Sequence, residues 1–497
     1  MTSTDGTARI EWVAPVGGHW RRDFRLAEWL PGPVSLSAET WLLPSLDRGF
    51  SEASVDEFGS GTKPGVVVVN GWGYSTDPMP THPLRLLRKG PVRMLRIGSA
   101  MARMGTRPEL VERYVAAPGL ERYRSVELPA LEASIVDAEA RTATADEGDL
   151  VDIVDRLAVG TGRLMLGMVQ SMGFSAKVEY AISLFFDKEL DGRVSCRPLD
   201  LFVGNTVPSP TPAHGVVTLD WREATAGERG SAARPADAAV DALKERRSAA
   251  EAECRAALTD ASALARFDAL LAMLDRWSPI REQLAGEFTL AWPAMRTVLG
   301  RLGSLLVERG VIIAADDVYE LSLEEIRSLA ANPAGSARGG ATLAAVVEQR
   351  RALRRERSGY QPPLTIGEPI RQWKKADSIA ALFRSDPPAE WRVIVTGIGS
   401  SPGRATGPAR VVTGPEDFHL VEPDEILVAP STAPGWTPLF AIVAGIVTDA
   451  GGPFAHTSIV AREFGIPAVV TATGATNLIR TGDTITVDAA SGTVSAS

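Results

Sequence analysis

The sequence predicts a multidomain α+β protein, with a largely helical N-terminal domain that has some β structure near its start, followed by a compact C-terminal α/β domain. Three observations carry this. The chain has 497 residues, more than a single hydrophobic core usually serves. Its texture is helical from about Pro83 to Ala285. A proline-bearing stretch, "FRSDPPAEWR", then separates helical texture from short β runs set between glycine and proline turns. The expected division is residues 1–383 for the mostly helical domain, 384–392 for a hinge linker and 393–497 for the C-terminal domain.

Each element has a local reason. Val66 to Val69 form a four-valine run ending at Asn70-Gly71, which reads as a buried strand followed by a turn. Leu150, Ile153, Val154 and Leu157 recur at helical spacing and mark an apolar face. Residues 84–104, "LRLLRKGPVRMLRIGSAMARM", are a basic amphipathic stretch, expected to bury one face and solvate the other. The Ala-, Gly- and charge-rich segment 222–240 reads as a mobile loop. Arg350, Arg351, Arg354, Arg355 and Arg357 lie on a charged helix that Pro362 and Pro363 stop, and a solvated face is the default for them. In the C-terminal domain, "GIVTDAGG" is a strand running into a loop, "TSIVAREFG" a helix closed by Gly465, and "PAVVTA" a further strand.

Composition removes several classes of function. A net charge of −9 argues against a general nucleic-acid binder. Cys196 and Cys254 give neither a disulfide framework nor a zinc spacing, which fits a reducing compartment. His19, His82, His214 and His419 have no metal-ligand spacing, and no metal site is expected. The N-terminus shows no signal-peptide pattern, and no apolar run approaches the ~20 residues of a membrane span. The expectation is a cytoplasmic protein without a membrane or nucleic-acid partner.

One stretch carries chemistry: "GGPFAHTSIVAREFGIPAVV", residues 451–470. His456 opens a helix behind two glycines. A helix N-terminus offers unpaired N–H groups and a positive dipole end, which favours anions and a neutral imidazole. A neutral imidazole is a nucleophile towards phosphorus. Gly451 and Gly452 let a phosphoanhydride approach the backbone, and Thr457 and Ser458 offer hydroxyls. Arg462, six residues on, could reach back to the loop or pair with Glu463 or Asp449. On spacing alone, a capping or surface histidine is the stronger reading.

Residues 425–494 resemble the mobile phosphohistidine domain of the phosphoenolpyruvate-utilising enzymes, through "ILVAPSTAPGWTPLF", "AGIVTDAGG", "AHTSIVAREFGIPAVV" and "GDTITVDAASGTV" in order. The resemblance implies a swivelling β/β/α domain with His456 as the phosphoryl carrier. Residues 1–383 are more weakly similar to the acceptor-binding domain of the family's rifampicin phosphotransferase branch, in "FRLAEWLPGPVSLSAETWLLP" and "LVERGVIIAADDVYELSLEEI". The family's acceptor-side Arg-Glu pair corresponds to Arg281 and Glu282; the basic residue that follows it there is replaced by Ala285. Arg281 could clamp a phosphoryl group, or sit solvated beside Glu282 or Glu287. The first 360 residues show no glycine-rich phosphate loop, and only about 30 residues follow the helix. The resemblance therefore implies a phosphotransferase or subunit of one, without a cofactor site of its own. Mg and ATP would sit on a separate ATP-grasp chain, and a small-molecule acceptor in the N-terminal domain. The alternative is a non-catalytic binding or regulatory descendant.

Overall fold

The computed structural model describes residues 10–22, 29–76, 79–86, 90–203, 218–224, 237–332, 340–360, 362–363, 365–367, 392–432, 436–453 and 455–496. The expected hinge at 384–392 lies outside them apart from Arg392, as do residues 225–236 of the expected mobile loop.

The N-terminal region builds a small sheet and a helical mass. Strands β1 (His19–Arg21), β2 (Val66–Val69) and β3 (Trp72–Ser75) are joined by β4 (Thr365–Gly367) in the order β2-β3-β1-β4. Asn70 and Gly71 both take positive φ, 52° and 83°, between the paired strands β2 and β3. That is the backbone a two-residue hairpin turn needs, and Asn-Gly is the pair that adopts it most readily. Because β4 returns from beyond residue 360 to pair with β1, the two ends of the helical region meet in one sheet.

Helix α1 (Leu43–Phe58) crosses the 43-residue helix α4 (Glu147–Glu189), which at 1.5 Å per residue is about 65 Å long. Asp146 caps α4, its carboxylate accepting from the N–H of Asp149 at 2.8 Å. Leu150, Ile153, Val154 and Leu157 are all buried in the main core. The crossing depends on glycine: a Cβ on Gly49 would lie 2.0 Å from the Val159 carbonyl oxygen, and one on Gly162 would lie 2.2 Å from that of Leu46. Between α1 and α4 lie α2 (Pro91–Ala102) and α3 (Leu128–Arg141). Three π-helical turns, Ala38–Leu42, Glu112–Ala116 and Tyr123–Glu127, each stand two residues before a proline: Pro44, Pro118 and Pro129. A proline cannot donate to the fourth carbonyl back and its ring crowds that carbonyl; a widened turn relieves both. Helices α5 (Asp237–Ala257), α6 (Ala261–Glu287), α7 (Trp292–Glu308), α8 (Leu323–Ala331) and α9 (Gly340–Ser358) complete the region.

Two surface expectations are corrected. Helix α2 buries only Ala100, while Val92 and Leu95 are exposed, so it has no fully buried face. The arginines of α9 are not simply solvated. Arg350 pairs with Glu325, Arg351 with the buried Asp317 and Arg354 with the buried Glu320, tying α9 back onto the domain. Arg355 alone fits the default, pairing with exposed Glu348 on its own helix.

The C-terminal region is one eight-stranded mixed sheet, in the order β5-β12-β11-β7-β8-β9-β10-β6. Its strands are β5 (Val393–Thr396), β6 (Ile398–Ser401), β7 (Arg404–Val411), β8 (Ile426–Ala429), β9 (Gly445–Thr448), β10 (Ala468–Val470), β11 (Thr484–Asp488) and β12 (Thr493–Ala496). Strands β7 to β10 run parallel, and the rest pair antiparallel. The parallel strands β8 and β9 are buried throughout, as apolar runs covered on both faces should be. Helices α10 (Thr437–Phe440), α11 (His456–Phe464) and α12 (Ala475–Leu478) pack against this sheet. Ile398 and Val470 of the sheet join a core cluster otherwise made by the N-terminal region, so the two regions share apolar contact.

Candidate functional site

The carboxyl ends of three adjacent parallel strands converge on the histidine loop, the place where open α/β sheets present their ligand sites. Strand β9 ends at Thr448 and turns into the loop through Gly451, whose φ of +134° is unfavourable for a side chain. After β8, Thr432 shares a 2.7 Å hydroxyl–hydroxyl contact with Thr457. After β10, the Thr471 hydroxyl donates to the Gly451 carbonyl at 2.7 Å.

The loop is fixed by its carbonyls. Gly451 accepts from Thr471, Gly452 from the Ser458 hydroxyl at 2.6 Å, and Pro453 from Arg462 Nη1 at 3.0 Å. Three successive peptide units are thereby held by three side chains, two of them from α11 itself. Helix α11 starts at His456 and ends at Gly465, whose φ of +70° provides the left-handed cap. The first turn presents N–H groups that no helical carbonyl receives.

His456 is half-buried, with Nε2 buried and the ring of Phe440 6.4 Å away at an edge-on angle. The surrounding protein disfavours the imidazolium and lowers its pKa from 6.5 to about 3. The ring is therefore neutral at physiological pH, the state that a nucleophilic role requires. Thr457 and Ser458 are buried, and their hydroxyls are engaged with Thr432 and Gly452, where they shape the loop.

Arg462 does not lie at the surface, where a pair with Glu463 or Asp449 was one of its two expectations. It is buried, 3% exposed, and reaches the loop as the other expectation had it. Asp449 instead binds the backbone N–H and the hydroxyl of Thr476. The second hand of the Arg462 guanidinium points across the domain contact, Nη2 donating to Glu179 Oε2 at 3.3 Å. Glu179, on α4, receives Arg281 Nη1 from α6 on its other oxygen at 2.8 Å, and Ser175 adds a contact to Arg281 at 3.2 Å. Arg281 is thus buried and paired with Glu179 and is not solvated, because α6 turns this side chain inward onto α4. The side chain of Glu282 lies outside the described residues.

The structure therefore links the glycine loop, Arg462 and Arg281 through a residue that the sequence reading missed, Glu179. The signal was available: one acid in the apolar run "GFSAKVEYAISLFF" needs a buried partner. Thr432 and Thr471 had no comparable signal, since only the strand register places them at the loop. Among the described residues no group of His, Cys, Asp or Glu is placed to hold a metal ion, and no helix is long and apolar enough to cross a membrane.

Residues 421–492 match the model of the family described as "PEP-utilising enzyme, mobile domain". The chain carries the mobile domain of the PEP-utilising enzymes. It is 35% identical over 201 residues to the uncharacterized phosphotransferase YvkC of Bacillus subtilis, covering 40% of this chain and 23% of that protein. It is 51% identical over 102 residues to the prodigiosin synthesizing transferase PigC of Serratia marcescens, covering 20% and 12%. Over 190 residues it is 33% identical to the rifampicin phosphotransferase of Bacillus cereus, covering 38% and 20%. The chain thus matches about a quarter or less of the length of these relatives. Within the mobile domain, the matched span holds the histidine loop, α11 and the strand ends that fix them.

Proposed function

We propose that this chain is a phosphotransferase, or a subunit of one, in which His456 carries a phosphoryl group to a small acceptor bound in the N-terminal domain. The observation that carries this reading is the placement of a neutral histidine, at a helix start on a carbonyl-anchored glycine loop, against the N-terminal helices through Arg462, Glu179 and Arg281. In the first step a ring nitrogen attacks the donor phosphorus; the P–N bond forms as the P–O bond to the donor breaks, and the donor oxygen leaves with the electron pair. In the second step an acceptor oxygen attacks, the P–N bond breaks, and the imidazole recovers its lone pair. First-turn N–H groups stabilise the equatorial oxygens in both steps.

The donor is loaded by a separate ATP-binding chain, which holds Mg and ATP. One histidine must then visit two sites, which requires the C-terminal region to move between them. The relatives named phosphotransferase and the family of the mobile domain support the general reaction. The test is phosphohistidine trapping with and without a nucleotide-binding partner chain, with His456→Ala as the control.

A further inference from the structure

We infer that Glu179 is the positioning residue that docks the histidine helix on the N-terminal domain, by bridging Arg462 of α11 to Arg281 of α6. All three side chains are buried: side-chain exposure is 2% for Glu179, 8% for Arg281 and 3% for Arg462. Each carboxylate oxygen takes a different guanidinium, Oε1 from Arg281 at 2.8 Å and Oε2 from Arg462 at 3.3 Å. The Phe202 ring, 5.7 Å from Arg462 Cζ, adds a cation–π contact from the N-terminal side. Arg462 holds the Pro453 carbonyl of the histidine loop with the nitrogen that does not reach Glu179, so the bridge ties the loop itself to the N-terminal helices. Removing the carboxylate breaks two charge-assisted bonds at a buried contact, one to each region, and so weakens the docked arrangement.

The test measures the distance between spin labels on the full chain at Val136 and Leu478, both exposed and one in each region, with Cys196→Ser and Cys254→Ser removing the native thiols. The parent gives one narrow distance. Glu179→Gln and Arg462→Met each raise the ratio of separated to docked molecules by at least about tenfold, since breaking a buried pair is strongly unfavourable. In the double variant the effect is smaller than the product of the two single effects, because both changes remove the Glu179–Arg462 contact that they share. Unchanged distances in both single variants, or effects that multiply in the double, would overturn the inference. Should Glu179→Gln not fold, Arg462→Met decides, since it leaves the Glu179–Arg281 pair in place; a docked distance like the parent's then overturns it. No phosphoryl donor is used, so a chain that never takes label can still sustain or sink the dock.

Discussion

Arg462 donates to Glu179 at 3.3 Å across 283 positions of sequence, and with its other nitrogen it holds the Pro453 carbonyl of the histidine loop at 3.0 Å. One guanidinium thus couples the shape of the loop to contact with the N-terminal domain. Lysine keeps the charge but cannot fork in two fixed directions. Arg462→Lys is expected to slow phosphoryl transfer from His456 to the acceptor by about ten- to a hundredfold, the scale of a small misplacement of reacting groups. Single-turnover transfer from pre-labelled protein checks this; an unchanged rate would remove Arg462 from the account.

The neutral histidine has a signature in stability. Its pKa falls from 6.5 in the unfolded chain to about 3 in the fold. Between those values the unfolded state binds a proton that the native state refuses, so native stability rises with pH across this window. The contribution is complete above pH 6.5 and is lost progressively as pH falls towards 3. His456→Ala is expected to flatten that part of the pH–stability curve, measured by urea unfolding at several pH values, relative to the parent.

Gly451 sets the entry to the loop. A Cβ there meets Val470 Cβ at 3.4 Å and Thr448 Oγ1 at 3.5 Å, and the φ of +134° is strained for any side chain. Gly451→Ala is expected to cost about 1–3 kcal/mol of stability through backbone strain and to lower labelling of His456 markedly. Thermal unfolding and phosphohistidine yield, measured together, separate the two effects.

The α1–α4 crossing gives a prediction for the fold alone. A methyl group on Gly162 would overlap the Leu46 carbonyl, which belongs to backbone and cannot rotate away. Gly162→Ala is expected to destabilise the chain by about 3 kcal/mol or more. Denaturant titration checks it, and Gly286→Ala, in open space on α6, serves as the tolerated control.

Much of this architecture was legible from local pattern. The valine run, the Asn70-Gly71 turn and the Gly465 stop are set by neighbours in sequence and formed where expected, although the valine strand is an edge strand that buries Val67 and Val69 and leaves Val66 and Val68 half-buried. Loop and helix around His456 were equally readable, because glycine, histidine and amphipathic spacing are local signals. What the sequence concealed is tertiary. The α9 arginines and Arg281 looked solvent-facing because their acidic partners lie far away along the chain, at Asp317, Glu320 and Glu179. Exposure of Val92 and Leu95 on α2 was hidden for the same reason: amphipathic spacing shows that a face exists, not that something covers it. Thr432 and Thr471 enter the site only through the order of strands β8, β9 and β10.

The central claim is that His456 carries a phosphoryl group, and label trapping tests it most directly. The chain would be incubated with labelled phosphoenolpyruvate, with labelled ATP, and with labelled ATP plus an ATP-grasp chain, beside His456→Ala. The account predicts acid-labile, base-stable label on the parent with the partner chain and none on the variant. A folded parent that takes no label under any of the three conditions, or a His456→Ala variant that labels as well as the parent, would contradict it.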